Sequence, residues 1–600
     1  MKGIAIGLSN NSKEILKRLK KTEFVKDIYI AGSSKDDGKE NELIQVQKPR
    51  EILLKKWPEI DLIIFIGSIA ASIRIINSFL TSKDQDPGVI VIDNKCSKIV
   101  PLIGLHQSNT QNIACQIANL LGGEIIETNN SNDQSFLNLD AFGNQWGWKR
   151  SGKINDWSKL VIKQAKNEEI FCKQLSGNSL WKNSESGEII NQINEKEIEK
   201  PDSTFHVSIF ENHETTWHPP VLWIGIGCER NTSKELIANS LNNFLESGNL
   251  SQQSIAGFAT IDIKKDEKGI LELSEEKNLP IKFFSKEDLS TIIVPNPSNV
   301  VQKEIGTPSV AEASCLLAAG EESKLLEEKR IFKNQSGAVT IAVAESKNQY
   351  NPTHGEIHII GSGPGDISFL TNNAKKALSR CTVWIGYKMY LDLIKPLKRS
   401  DQVLIESKLT EEKERCSKAI KLAEEGIKVA LISSGESGFY GMAGLLLELL
   451  QKIKKEYRPY FEVHPGISSV QLAAAISGAP LMNDFCSVSL SDKLTPWSLI
   501  EKRIEGALVG DFVIALFNPQ SIERNWQLKS VIDICLQSRH GDTPVLIARQ
   551  VGRENQTKKF FTLNTIPFKE IDMLSIIIIG NSQTTLVDEI FLTPRGYLQN

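Results

Sequence analysis

The stretch IHIIGSGPGDISFLTNNAKKAL, residues 357–378, decides the fold class. Its apolar run IHII has the length of a strand and leads into GSGPGD at 361–366, with three glycines and a proline in six residues. Leu370 and Thr371 then open a helical pattern running through Ala374. A continuous apolar strand, a tight glycine turn and a helix together predict a sheet covered on both faces. The backbone of such a turn can come close to a ligand and offer it amide groups. Alone, the turn has two readings: it lacks GxGxxG spacing, and a strand-to-helix turn also uses glycine purely for shape.

The same pattern recurs outward along the chain. It appears as IAIG at 4–7, LIIFIG at 62–67, WIGIG at 223–227 and ALISSG at 430–435. Helical periodicity runs over 110–121, 411–425 and 526–536. The expected class is therefore α/β and multidomain, since 600 residues correspond to three to five domains at about 150 residues each. Polar, turn-rich segments at 128–135, 182–204 and 346–356 mark boundaries.

Composition narrows the function. Lys+Arg 70 against Asp+Glu 73 gives a net charge of −3, which argues against a nucleic-acid coat or a membrane-surface protein. The nine cysteines form no CxxC pair, so reduced thiols are expected, not a disulfide framework. No apolar run approaches the ~18–20 residues of a membrane span. The expected location is the cytoplasm. The histidines show no HxH or HxxxH cluster with carboxylates; His354 and His358 straddle the start of a strand. No metal site is expected.

Beyond 366 the motifs continue in order: SSGESGFYGMAG at 433–444, FEVHPGISSVQLAAA at 461–475, LMNDF at 481–485, FVIALFNPQSIER at 512–524, TPVLIARQVGRE at 543–554 and IDMLSIIIIGNSQT at 571–584. This set resembles the tetrapyrrole methyltransferase family and, within it, the precorrin-3B C17-methyltransferases (CobJ/CbiH type). The resemblance covers essentially all of 355–600. It implies two α/β lobes, about 355–480 and 481–600, with S-adenosylmethionine between them. It places Pro364 in the first loop, and Ser434, Gly435 and Glu436 in the second, with Phe439 just after. Ser468 and Ser469 follow the Pro-Gly turn, and Asn518 comes from the second lobe. The family usually reads Gly-Asp-Pro where this chain has Gly435-Glu436-Ser437. The implied reaction methylates C17 of a corrinoid and accompanies ring contraction. Asp366 and Asp484 are the candidate carboxylates for the proton transfers, and each also fits a helix cap or turn. Lys388, Lys408, Arg524, Arg549 and Arg553 are candidates to receive the substrate's carboxylates.

The N-terminal half resembles the CbiG family of cobalt-precorrin-5A hydrolases. VLWIGIGCER at 221–230, IDIKKDEKGILEL at 261–273 and GTPSVAEASCLLAAG at 306–320 carry the likeness over 220–345. GSIAASIRII at 67–76, DPGVIVID at 86–93 and the segment from 104 carry it over 1–139. The family typically has Ser-Gly-His-x-Gly-Gly-Ala-Asn where this chain reads Gly104-Leu105-His106-Gln107-Ser108-Asn109. Residues 140–219 read as a variable central or linker region and 346–354 as a linker. The implied activity opens a lactone with release of acetaldehyde. His106 and Glu312 are the acid–base candidates, with Lys264 and Glu267 in the same motifs. A binding or scaffold role for this half stays open. The implied substrate is a corrinoid small molecule that carries its own cobalt; no nucleic acid or membrane is implied. Since the methyltransferase family is often dimeric, a homodimer through that half is expected.

Overall fold

The computed structural model describes residues 2–22, 24–32, 44–81, 86–104, 110–126, 136–193, 201–211, 214–335, 337–521 and 524–597. The chain divides into two compact units, Met1–Gln134 and Ser135–Asn600. The first contains a seven-stranded sheet in the order Gln45–Val46, Asp27–Ile30, Gly3–Gly7, Leu62–Ile66, Gly88–Ile92, Lys98–Ile103, Glu124–Ile125. Neighbours are parallel except Gly88–Ile92 with Lys98–Ile103. Every residue of Gly3–Gly7, Leu62–Ile66 and Gly88–Ile92 is buried. Cover on both faces is why these strands read as unbroken apolar runs with no alternation.

The second unit contains four larger sheets. The stretch 140–219, expected as a variable central or linker region, carries a sheet in the order Asn191–Gln192, Phe171–Gln174, Thr204–Val207, Thr216–His218, Lys149–Ser151. Trp146, Trp157, Trp181 and Trp217 are fully buried there. Phe142 packs edge-on against Trp148 at 5.8 Å and against Phe205 and Trp217 at 5.6 Å. Aromatic side chains bury about 150–250 Å² each, so a polar-looking sequence still builds a core from a few of them. That core is continuous with Ile357, Val383, Val429 and Leu446 of the C-terminal half.

Residues 346–354, expected as a linker, are packed as well. Gln349 is 3% exposed. Its Oε1 accepts from Trp148 Nε1 at 2.6 Å and from the Asn178 amide at 2.8 Å. Its Nε2 donates to the carbonyls of Trp146 at 3.0 Å and Glu425 at 3.1 Å. One glutamine thus satisfies polar groups from three segments that have left water.

The next sheet runs Ile281–Phe284, Ile255–Ile261, Leu222–Cys228, Gly337–Glu345, Lys324–Asn334, parallel over the first three strands and antiparallel over the last two. The helix Lys234–Ser247 is capped by Ser233, whose Oγ accepts from the Leu236 amide at 3.2 Å.

Among the described residues the C-terminal half holds two five-stranded sheets and a three-stranded one in the order Gly478–Ala479, Ile590–Leu592, Thr585–Val587. The first is wholly parallel, in the order Val403–Ser407, Val383–Tyr387, Lys428–Ser433, Glu356–Gly361, Tyr460–His464. The second runs Phe485–Ser489, Val513–Phe517, Ser575–Ile579, Pro544–Arg549, Thr557–Thr562, with one parallel pair and the rest antiparallel. Among the described residues no helix is long and apolar enough to cross a membrane.

Candidate functional site

Three strands of the parallel sheet, Glu356–Gly361, Lys428–Ser433 and Tyr460–His464, end side by side. Carboxyl ends of parallel strands are where open α/β sheets form their ligand crevices. The loops that leave them touch largely through backbone, with Thr371 Oγ1 also donating to the Pro465 carbonyl at 3.2 Å. Gly363 and Gly435 exchange both hydrogen bonds, at 3.1 and 2.8 Å, as an isolated bridge. The Ser362 amide donates to the Ser433 carbonyl at 2.8 Å. A Cβ on Gly466 would lie 2.1 Å from the Gly435 oxygen and 2.6 Å from the Gly361 oxygen. Gly363 and Gly435 hold φ of 75° and 63°, where side chains are strained. Gly466 is therefore required by contact, and Gly363 and Gly435 by turn shape.

The second sheet's loops grip the first loop. Gly552 accepts from the Asp366 amide at 2.6 Å, and Arg553 Nε donates to the Pro364 carbonyl at 3.3 Å. A Cβ on Gly365 would meet the Gly552 oxygen at 2.2 Å. Pro364 is buried in this contact.

The other expected ligand-side residues lie on or beside these loops. Ser434, Gly435, Glu436 and Ser469 are half-buried, and Ser468 is 6% exposed. Ser468 caps the helix Ser469–Ser477 in a reciprocal box with Gln471, whose Oε1 accepts from the Ser468 amide at 2.9 Å. Ser434 is a hydrogen-bond partner of Tyr390, whose hydroxyl is pushed up mainly by burial. The Glu436 carboxylate accepts from the Gly438 amide at 3.1 Å, so the longer side chain folds back on its own loop. Ser437, standing where the family has proline, keeps a buried Oγ without a hydrogen-bond partner.

Phe439 is 37% exposed and packs 5.2 Å from Phe517 and from Tyr440. Tyr440 holds φ of 58° and donates its hydroxyl to the Ser487 carbonyl at 3.0 Å, joining the two lobes. Sequence reasoning missed Tyr440 and Phe517; their only signal was position, one beside Phe439 and the other before Asn518. Asn518 holds φ of 50° and donates Nδ2 to Ser489 Oγ at 3.0 Å.

Asp366 is exposed and accepts from the Ser368 amide at 2.7 Å; the Ser368 hydroxyl, and after it that amide, hold its carboxyl below the usual range. Asp484 is exposed at the start of the second sheet, where its carbonyl accepts from the Val513 amide at 3.1 Å. Four of the five expected carboxylate receivers are engaged internally. Arg524 is 7% exposed and donates to the Leu490 and Asn518 carbonyls at 3.1 and 3.0 Å. Arg549 pairs with Asp572 at 2.8 Å, Lys388 with Glu406 at 2.9 Å, and Arg553 serves Pro364. The guanidinium fork matches backbone carbonyls as well as it matches a ligand, so motif position alone does not mark a receiver.

In the segment 222–345, just after the strand Ile255–Ile261, Lys264 and Glu267 are 6% and 3% exposed and pair at 3.1 Å. Glu267 also accepts from the Asn231 amide at 2.7 Å, and Arg230 lies 3.7 Å away. Glu312 is fully buried on the helix Ala311–Ala319. It accepts from Asn296 Nδ2 at 3.0 Å, the Lys329 amide at 3.2 Å and Ser309 Oγ at 3.4 Å. His106 lies outside the described residues.

Comparison with known proteins bears on the same segments. The family model for tetrapyrrole (corrin/porphyrin) methylases matches 356–567, that for the cobalamin synthesis G C-terminus matches 222–344, and that for the cobalamin synthesis G N-terminal region matches 51–132. A cobalt-factor III methyltransferase of Priestia megaterium is 44% identical over 245 residues, 40% of this chain and 45% of that protein. A probable cobalt-factor III C(17)-methyltransferase of Salmonella typhimurium is 44% identical over 241 residues, 40% of this chain and 99% of that protein. The chain thus spans under half the length of the first relative and nearly all of the second. The crystal structure of the methyltransferase CobJ is 32% identical, over 40% of this chain and 100% of its own, with a TM-score of 0.39. With its glycine-built loop cluster and a relative matched almost end to end, the chain belongs to the tetrapyrrole methylase family, and it carries both cobalamin synthesis G domains in the same polypeptide.

Proposed function

We propose that the chain is a bifunctional enzyme of cobalamin biosynthesis. Residues 355–600 methylate C17 of a precorrin-3-class macrocycle, with contraction of the ring to a precorrin-4-class product. The N-terminal half hydrolyses the lactone of cobalt-precorrin-5A and releases acetaldehyde. One observation carries the methyltransferase reading: the backbone-lined crevice lies in the segment that matches 99% of a relative named for C17 methylation.

The residues present fit S-adenosylmethionine. Glycine backbone, small hydroxyls and a carboxylate suit a methionine zwitterion, and a part-exposed aromatic suits a purine. Pro364, Ser434, Gly435, Glu436, Ser468 and Ser469 hold the methionine end, Phe439 flanks the adenine, and Asn518 closes the site from the second lobe. When bound, S-adenosylmethionine supplies an electrophilic methyl on a sulfonium. The macrocycle carbon provides the electron pair for the new C–C bond, and sulfur keeps the pair of the broken C–S bond. The protein's work is therefore alignment and exclusion of water. Asp366, exposed on the first loop, is the first candidate proton acceptor; the Ser368 hydrogen bonds that hold it below the usual carboxylate range make it a weaker base than a free carboxylate. Asp484, exposed on the other lobe, is the second candidate.

For the hydrolase, His106 is the candidate base and Glu312 the candidate partner. The three internal donors that engage the buried Glu312 favour a second reading, in which this half binds a corrinoid without hydrolysing it. In both readings cobalt travels inside the macrocycle, the enzyme works in the cytoplasm, and a homodimer forms through the methyltransferase half.

The test is anaerobic mass spectrometry of the chain with S-adenosylmethionine and either cobalt-precorrin-3 or metal-free precorrin-3B. Gain of one methyl, assigned to C17 by NMR, is expected. No methylation in either tube beside an active control enzyme overturns the C17 assignment. Acetaldehyde release from cobalt-precorrin-5A decides between hydrolysis and binding.

A further inference from the structure

Glu356–Gly361 and the edge strand Tyr460–His464 run parallel with His358 opposite Glu462 and Ile360 opposite His464. On a pleated sheet, residues two apart along a strand share a face, so His358, Glu462 and His464 come together on one side. His358 and His464 are 2% and 6% exposed, while Glu462 is half exposed. His358 Nδ1 lies 2.9 Å from His464 Nε2, and Glu462 Oε2 lies 4.0 and 3.9 Å from those two nitrogens. The point equidistant from the three atoms is about 2.1 Å from each, the distance zinc keeps to imidazole nitrogen and carboxylate oxygen.

A second observation concerns the far side of the ring. His358 Nε2 is 2.9 Å from Glu356 Oε2. Glu356 also receives Lys428 at 2.9 Å and Arg380 at 2.5 Å, so it is an ionised acceptor. The His358 proton therefore sits on Nε2, and the Nδ1 lone pair faces His464 and Glu462. A carboxylate behind a histidine, fixing its tautomer and raising its basicity, is the usual outer partner of a metal-ligating imidazole. Tyr460 adds a hydroxyl 3.3 Å from Glu462 Oε2.

We propose that His358, Glu462 and His464 form a site for one divalent transition-metal ion of the zinc class. The ion ties the edge strand to its neighbour just before Pro465 and Gly466, the turn that enters the loop cluster. Without metal, His464 Nε2–H donates to His358 Nδ1. On binding, the His464 proton shifts to Nδ1 of its own ring, and the two nitrogens part slightly, toward the roughly 3.3 Å that two ligands keep around tetrahedral zinc. Three protein ligands leave a fourth position for water on the exposed Glu462 side. The sequence expectation of no metal site rested on spacing within one segment; these ligands come from two strands, 106 residues apart for the histidine pair, and meet only through strand register.

The test uses the full chain stripped with a chelator. Equilibrium dialysis with Zn²⁺ is expected to give one saturable equivalent, and Co²⁺ the visible absorption of a tetrahedral site. Both signals are lost in His464→Ala and weakened at least 10-fold in Glu462→Gln. Glu356→Gln weakens binding about 10- to 100-fold. Glu462 is half exposed, so its variant folds and remains informative if His464→Ala does not; near-UV circular dichroism checks both. No saturable binding to the wild type overturns the site, as does unchanged binding in a folded Glu462→Gln.

Discussion

The loop cluster around Gly363, Gly435 and Gly466 and the charged cluster around Lys264 and Glu267 are built on opposite principles. The first is made of backbone: Gly466 sits where no Cβ fits, and Gly363 and Gly435, bridged to each other, hold positive φ. The second is made of side chains: two opposite charges, nearly out of water, are matched to each other. The first fails when an atom is added, the second when a charge is removed. That difference also governs legibility, because glycines in a fixed order stand out in a sequence, whereas one lysine and one glutamate among many do not.

The largest expected effect breaks the charged cluster. Glu267→Gln strands Lys264 as a buried, unpaired ammonium, at a cost of about 3–5 kcal/mol. Hydrogen exchange along Leu222–Cys228 reads this as early opening of that sheet. A loss below about 1 kcal/mol, the range of an exposed ion pair, means that water reaches Lys264 and the contrast fails.

Next is the backbone cluster. Gly466→Ala places a methyl 2.1 Å from the Gly435 carbonyl oxygen. Overpacking of this kind costs about 1–3 kcal/mol. The same energy, drawn from the binding loop, should lower S-adenosylmethionine affinity about 10- to 100-fold by calorimetry. Unchanged affinity in a folded variant removes this loop from the site.

Gln349→Ala tests the join between the tryptophan-rich region and the methyltransferase half. It leaves Trp148 Nε1 without its acceptor, an effect of about 1–3 kcal/mol. Tryptophan fluorescence should show the region loosening before the parallel sheet unfolds. Simultaneous unfolding means Gln349 does not hold the two together.

A pH-dependent effect follows from His218 in the same region. Burial pulls its pKa below 6.5, against the hydrogen bond to the Ser208 carbonyl. The folded ring holds its proton more weakly than the unfolded one, so stability is lost as pH falls through about 6.5. His218→Asn should flatten that slope; an equal slope in wild type and variant assigns it to another group.

The smallest effect has the opposite sign. Gly444 is exposed on the helix Ala443–Gln451 with nothing within 4 Å of an added Cβ. Gly444→Ala should stabilise by about 0.5–1 kcal/mol and leave S-adenosylmethionine binding as it was. Placed beside Gly466→Ala, it separates a glycine needed for contact from one that is not.

The sequence by itself determined the α/β class, the strand–turn–helix units and the place of the crevice. These depend on local physics: an apolar run long enough for a strand, a glycine where φ is positive, a Ser or Thr before a helix, as at Ser233 and Thr371. Only the tertiary structure decided the rest. Residues 140–219 and 346–354 look like linkers because their polar atoms are satisfied by partners far along the chain, as Gln349 is by Trp146, Asn178 and Glu425. Arg524, Arg549 and Lys388 look free until their acceptors fold beside them. His358, Glu462 and His464 meet through the register of two strands, and Tyr440 joins the lobes through a carbonyl 47 residues away. A pairing of that kind is settled by the packing of whole sheets, which no single segment encodes.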